Sequence, residues 1–224
     1  MAMHRIGEQL CFSEFERDSP HTHRLLFMAL PDESAARRIS HVAHELKRKH
    51  RLHGEILPSK RLHVSLFHIG DYYQFPHDIA DRAKEGASGL VLPPIEIVLD
   101  CVMSFCGAQV DPPREDSYAL VLLARQGATE LLMLRKALAL AMMKTGIRRR
   151  FGGHFKPHLT LLYDRRHRIE EDVEPIRWTV SEVVLIDSLV GQGRYEELGR
   201  WPLKGRFPVR SVSSLPETIA TTAG

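Results

Sequence analysis

The 224-residue sequence has no uninterrupted apolar stretch near the roughly 18 residues that cross a bilayer. Its opening, MAMHRIGEQLCFSEFERDSP, mixes acids and bases without an apolar core, so the expectation is a chain with neither a membrane span nor a secretory leader. Cysteine is scarce. Cys11, Cys101 and Cys106 are too few and too unevenly spaced for a disulfide framework, and no CxxC pair suggests zinc. A reduced, cytoplasmic setting fits that usage. Strong charge of one sign is also missing: 31 basic against 28 acidic residues leave +3, so bulk charge does not argue for a nucleic-acid binder.

What remains is the composition of an ordinary globular protein, 43% hydrophobic and 26% charged, long enough for one well-buried domain or two small lobes sharing an interface. Charge is unevenly distributed. Arg148, Arg149, Arg150, Lys156, Arg165, Arg166 and Arg168 bracket one apolar segment, a cluster that either attracts a phosphate-bearing ligand or is a solvated basic surface. The ends are read as an N-terminal extension over residues 1–22 and a loose tail over 208–224, VRSVSSLPETIATTAG lacking any periodicity.

Between them the order of elements repeats. Residues 25–30 read as a strand that Pro31 and Asp32 end while offering a helix start. Ile39, Val42, Ala43 and Leu46 then recur at helical spacing. Gly54 and Pro58 break the helix, and RLHVSLFHIG, residues 61–70, supplies a second strand. The second half follows suit. A strand over 118–124 and a turn at Gln126 and Gly127 lead to a helix marked by Leu131, Leu134, Leu138, Ala141 and Met142, ending near Gly146, and a strand over 155–163. Met133, Met142 and Met143 are read as core packing. Further extended runs follow at 95–105 and 178–189, and 37 positions separate Leu26 from His63 where 36 separate Leu122 from His158. Such self-similarity points to two related lobes, about 24–105 and 118–190.

Each copy carries a histidine into its second strand: His63-Val64-Ser65-Leu66 and His158-Leu159-Thr160-Leu161. Pro157 keeps His158 out of a helix, and strand alternation then aims His158 and Thr160 one way and Leu159, Leu161 and Tyr163 the other. One H-x-S/T-L is a weak signal in a chain with 13 histidines; two at matching positions outweigh the alternative of a satisfied core histidine. About a pseudo-twofold axis, two imidazoles and two hydroxyls would converge on one cleft. Imidazoles titrating near pH 6.5 suit paired general acid and base work at a phosphate, with Ser65 and Thr160 donating to non-bridging oxygens unless they are merely strand formers. Lys156 would add attraction for the phosphate, and Tyr72, Tyr73 and Phe75 would stack on a base or pack between lobes. Metal chemistry is the weaker rival: Pro157 keeps His154 and His158 off one helix, no acid joins them at ligand spacing, and His41 and His44 read as helix surface.

Paired H-x-S/T-hydrophobic motifs, together with LLFMALP, RLHVSLFHIG, FKPHLTLLYD and VVLIDSLVGQGRYEELGRWPL, resemble the 2H phosphoesterase superfamily over roughly residues 23–207, and in particular its 2'-5' RNA ligase and RNA 2',3'-cyclic phosphodiesterase branch. The resemblance implies an α+β, bilobal fold in which antiparallel sheets with helices on their outer faces enclose the cleft. It implies opening of a 2',3'-cyclic phosphate to a 2'-phosphate without metal or cofactor, reversible as 2'-5' RNA joining in some members. By motif, His63 would be the proton donor and His158 the base, Ser65 and Thr160 would bind phosphate, and Lys156, Tyr163 and Tyr72 are further substrate-binding candidates. The expected partner is RNA with a cyclic phosphate end, or a small cyclic nucleotide, bound by a monomer with no obligate protein partner. A non-catalytic RNA or nucleotide binder is the alternative. Two departures stand out: Ser65 replaces the more usual threonine, and Tyr163 and Asp164 stand where a basic residue is common.

Overall fold

The structure is a computed structural model that describes residues 22–106, 117–124, 128–148, 156–165 and 168–205. The extension up to residue 21, the tail from 206, the turn at Gln126 and Gly127, Phe155, and Arg149, Arg150 and Arg166 of the basic cluster lie outside the described residues. The elements run β1 (His23–Ala29), α1 (Glu33–Lys49), a 3-10 turn (Ser59–Arg61), β2 (Val64–Tyr72), α2 (His77–Ser88), β3 (Ile95–Cys106), β4 (Ser117–Leu123), α3 (Thr129–Lys144), β5 (His158–Arg165), β6 (Glu170–Val180), β7 (Glu182–Leu189) and β8 (Arg194–Pro202). Among the described residues no helix is long and apolar enough to cross a membrane.

Local chemistry accounts for the helices. Asp32 caps α1, its Oδ1 accepting from Ala35 N at 2.7 Å, and Ala35, Ile39, Ala43 and Leu46 form the buried stripe. In α3 the stripe is Leu131, Leu134, Leu138 and Met142, and Gly146, at φ +84°, lets Gly146 N and Ile147 N turn back to the Met143 and Met142 carbonyls. Met142 is core as expected. Met133 and Met143 are not: they are 46% and 53% exposed, with Leu132 and Leu140, on the outer side of α3. Sequence reading passes over α2 because its buried stripe is Ala80, Ala83, Gly86 and Ala87, too small to stand out as apolar periodicity.

The strands form one antiparallel sheet in the order β6-β3-β4-β5-β2-β1-β7-β8. The helices pack on one face, where residues of α1, α2 and α3 share a core with Leu25, Phe27, Val64, Leu66, Leu159 and Leu161. The other face carries two smaller apolar patches, one around Leu26, Met28, Val184 and Ile186, the other around Cys101, Ala119, Val121 and Leu123. Halves of the sheet do not coincide with halves of the sequence. β3, which follows the first copy, pairs with β4 and β6; β7, which follows the second, pairs with β1. The expected run over 178–189 is two strands, β6 and β7, divided at Ser181, because its first part joins one half of the sheet and its second part the other.

Between the halves, β2 meets β5 in antiparallel register at Val64↔Leu159, both fully buried. Each of these strands then bulges at the leucine that ends its motif. The register of β1 against β2 steps from Met28↔Ser65 to Phe27↔Phe67, leaving Leu66 extra; that of β4 against β5 steps from Val121↔Thr160 to Leu120↔Leu162, leaving Leu161 extra. A bulge flips the alternation beyond it. Leu66 and Phe67, like Leu161 and Leu162, therefore both enter the helix-side core, and Tyr163 turns to the opposite face, among Ala119, Val121 and Phe105. This corrects the simple alternation that placed Tyr163 with Leu159 and Leu161.

Asp164, one residue further, points back toward the helices and is buried. Its Oδ2 accepts from His53 N at 2.6 Å and Gly54 N at 2.7 Å, and its Oδ1 from Arg165 N at 2.6 Å. Gly54 is required there, since a Cβ would lie 1.9 Å from the Tyr163 carbonyl oxygen. Asp164 thus straps the 53–54 loop to β5 and has no place in the cleft. Asp164→Ala leaves three backbone donors without this acceptor and is expected to lower stability by about 3 kcal/mol, measured by urea unfolding at pH 7, with Asp164→Asn losing less because one acceptor oxygen remains.

Candidate active site

Residues directly opposite each other in an antiparallel pair point to the same face. Continuing the Val64↔Leu159 register by one residue in each direction sets His63 level with Thr160, and Ser65 level with His158. Val64 and Leu159 point into the helix-side core, so all four motif side chains stand on the helix-free face, between its two apolar patches. Each imidazole lies across the junction from the other motif's hydroxyl. Directly opposed Cβ atoms stand about 4.5–5.5 Å apart, a spacing that one phosphate can bridge.

Both imidazoles are tethered in the same way. His63 Nδ1 is 2.8 Å from the Arg61 carbonyl oxygen, and His158 Nδ1 is 2.9 Å from that of Lys156. A carbonyl only accepts, so Nδ1 carries the hydrogen in each and Nε2 is left as the basic nitrogen of the neutral ring. An aromatic edge braces each ring: Tyr195 against His63, with centroids 5.7 Å apart, and Phe105 against His158 at 5.0 Å.

Burial pushes the His63 imidazole down to about 4; the bond to Arg61's carbonyl opposes that shift, while the charges of His158 and Arg61 add to it. His158 is also lowered, by burial, with the Lys156 carbonyl opposing. The Tyr163 hydroxyl is raised above the usual phenol value, first by burial and then by Tyr195, with Arg61 and the Thr160 hydroxyl opposing. It therefore stays protonated and can donate.

Beyond the first bulge, His68 takes the position in β2 that Tyr163 takes in β5. Its Nε2 donates to Asp71 Oδ1 at 2.8 Å, and Arg24 donates to both Asp71 oxygens, Nε at 2.8 Å and Nη2 at 3.2 Å. Burial raises the Asp71 carboxyl, but hydrogen bonds from His68 and Arg24 outweigh it and hold the group well below the usual carboxylate range.

The fold therefore brings together His63, Ser65, His158, Thr160 and Tyr163. Lys156 contributes its carbonyl, while its side chain is exposed, as are Arg148, Arg165 and Arg168. Tyr72 is not at the site. It packs on the helix-side core, its ring folded over Gly70, where a Cβ would lie 2.5 Å from the Tyr72 hydroxyl. Phe75 packs on that same core and sits edge-on to His23 and His77, and Tyr73 is 51% exposed. Of the metal-site alternatives, His154 lies outside the described residues, and His41 and His44 are exposed on α1. Among the described residues no three His, Cys, Asp or Glu side chains converge as a metal site.

Sequence reading passed over Phe105, Tyr195 and Arg61. For Arg61 a signal was present: RLHVS and KPHLT align with a basic residue two positions before each histidine.

An antiparallel α+β sheet with a histidine and a hydroxyl from each of two junction strands on one face is the arrangement of a two-histidine phosphoesterase. Residues 30–192 match the 2'-5' RNA ligase superfamily, and the chain belongs to that family of 2H phosphoesterases. Comparison with curated protein sequences yields no match. Among solved structures, the apo form of LigT from E. coli aligns with a TM-score of 0.61 and 22% identity over 83% of this chain and 99% of that one. LigT complexed with 3'-AMP aligns with a TM-score of 0.61 and 22% identity over 82% and 99%. TT0787 of Thermus thermophilus aligns with a TM-score of 0.61 and 18% identity over 81% and 98%. At such identities these likenesses bear on the fold.

The lowered histidines set a pH dependence of stability. Above pH 6.5, the ordinary value, His63 is neutral folded and unfolded; below it the unfolded imidazole takes up a proton that the folded one, at about 4, refuses. Stability is therefore expected to fall as pH drops from about 6.5 to about 4, and His63→Gln to flatten that decline, measured by urea unfolding at half-unit pH steps.

Proposed function

We propose that the chain is a phosphodiesterase that opens a 2',3'-cyclic phosphate, on an RNA end or a nucleotide, to a 2'-phosphate, with His63 and His158 as paired acid and base. The observation that carries this reading is the junction itself: two imidazoles with Nδ1 tethered to backbone carbonyls, each across from the other motif's hydroxyl. Water loses a proton to one Nε2 as its oxygen bonds to phosphorus. The P–O3' bond breaks, and the other Nε2–H delivers a proton to the departing 3' oxygen. Ser65 and Thr160 donate to the non-bridging oxygens. The family resemblance makes His63 the donor and His158 the base. With a 5' hydroxyl in place of water as the nucleophile, the same forward transfers join RNA ends through a 2'-5' linkage, and their reverse cleaves that linkage.

His63→Ala and His158→Ala are each expected to lower kcat by about 100- to 10,000-fold on nucleoside 2',3'-cyclic phosphate, with wild-type activity unchanged by chelator and a 2'-phosphate as sole product. Survival of activity in both variants, loss with chelator, or a 3'-phosphate product would refute the reaction. Tight binding of a cyclic-ended oligonucleotide without turnover would make the chain a binding protein instead.

Since burial lowers both imidazoles from 6.5, kcat/KM is expected to follow a bell whose optimum lies on the acid side of pH 6.5. The acid loses its proton as pH rises, and the base gains one as pH falls. A plateau from pH 5 to 8 would contradict this.

A further inference from the structure

The two bases that precede the histidines differ in their surroundings. Lys156 is exposed, whereas Arg61 is partly buried, its guanidinium carbon 5.5 Å from the centroid of the Tyr195 ring. Its Nη1 would lie 3.4 Å from a Cβ on Gly193, so a residue with no side chain, at φ +61°, opens the space it occupies. Its Nε is sealed from solvent and has no hydrogen-bond partner among the described residues. Asp71, a carboxylate on the same helix-free face, is already held by Arg24 and His68. A guanidinium is always charged and presents its donors as a planar fork, and burying those donors without an acceptor is unfavourable. Its charge reaches His63, in the first motif, and Tyr163, on the strand that carries the second.

We propose that Arg61, stacked on Tyr195 and cradled by Gly193, is a phosphate-binding residue of the substrate site, supplying the forked guanidinium contact that Lys156 cannot. This assignment rests on the nucleotide site described under Proposed function, but it concerns binding rather than turnover. It also makes the site asymmetric. The motifs are near copies, yet a fixed cation stands on the His63 side and a solvated one on the His158 side, so a nucleotide phosphate has one favoured orientation. The phosphate recognised is either the reacting one or the next along an RNA strand.

The test is calorimetric binding of adenosine 2'-monophosphate and of a diadenosine dinucleotide ending in a 2'-phosphate to the full chain and its variants. Arg61→Gln is expected to weaken binding by about 10- to 100-fold, Arg61→Lys less because it keeps the charge and loses the fork, and Lys156→Gln by less than about threefold. If Arg61 holds the reacting phosphate, both ligands weaken; if the next phosphate, only the dinucleotide does. Unchanged affinity of Arg61→Gln for both ligands overturns the proposal. Should that variant fail to fold, Arg61→Lys decides: wild-type affinity for both ligands is the overturning result.

Failure of the proposed reaction is read separately. A wild-type protein that hydrolyses no cyclic phosphate but loses nucleotide affinity on Arg61→Gln keeps this assignment and loses that reaction. A protein that hydrolyses cyclic phosphate and binds both ligands equally well with and without Arg61 does the reverse.

Discussion

Val64 and Leu159 face each other where the two four-stranded halves of the sheet join, and that pairing is the constraint on which the site depends. Both are fully buried, and burying side chains of this size stabilises by about 1.5–3 kcal/mol each. A slip of one residue would send both into the opposite face and carry the histidines into the core. The apolar residue between histidine and hydroxyl is thus the part of the motif that sets geometry, and its polar neighbours are the groups to which the proposed chemistry falls. Because the pairing is antiparallel, it also crosses the motifs, setting each imidazole against the other copy's hydroxyl.

Bulges at Leu66 and Leu161 complete what the pairing begins. Without them, alternation would bury Phe67 and Leu162 on the helix-free face and aim His68 and Tyr163 at the helices. With them, the apolar doublets fill the core, and a polar residue five positions after each motif histidine reaches the face that carries the imidazoles. The copies then diverge. In β5 the residue is a tyrosine kept protonated by burial; in β2 it is a histidine held by Asp71, which Arg24 holds in turn.

Aspartates serve as anchors on both faces. Asp164 ties loop 53–54 to β5 from the helix side, and Asp71 fixes His68 and Arg24 on the other. Tethering also lowers freedom at the two imidazoles. A histidine with its Nδ1 bound to a carbonyl two residues back keeps one tautomer and one ring orientation, so Nε2 is presented without reorganisation. Burial then depresses both imidazoles, and a bound phosphate anion is the charge that would favour protonating one of them.

Much was legible in the chain itself. Helices α1 and α3, the Asp32 cap, the motif strands and the pairing of His63 with His158 follow from periodicity, from proline and glycine positions and from the repeat, because these depend on residues a few positions apart. Even the bulges left a trace, since the doublets Leu66-Phe67 and Leu161-Leu162 break the alternation expected of a half-buried strand. The small-residue stripe of α2 left almost none. What tertiary structure alone decided is which strands lie side by side: β3 beside β4, β7 beside β1, Tyr163 at the site and Tyr72 away from it, and Arg61 over Tyr195, a residue from the far end of the fold. Alternation is a local property of one strand, whereas register, bulges and strand order are fixed by hydrogen bonds to a neighbour that can come from anywhere in the chain.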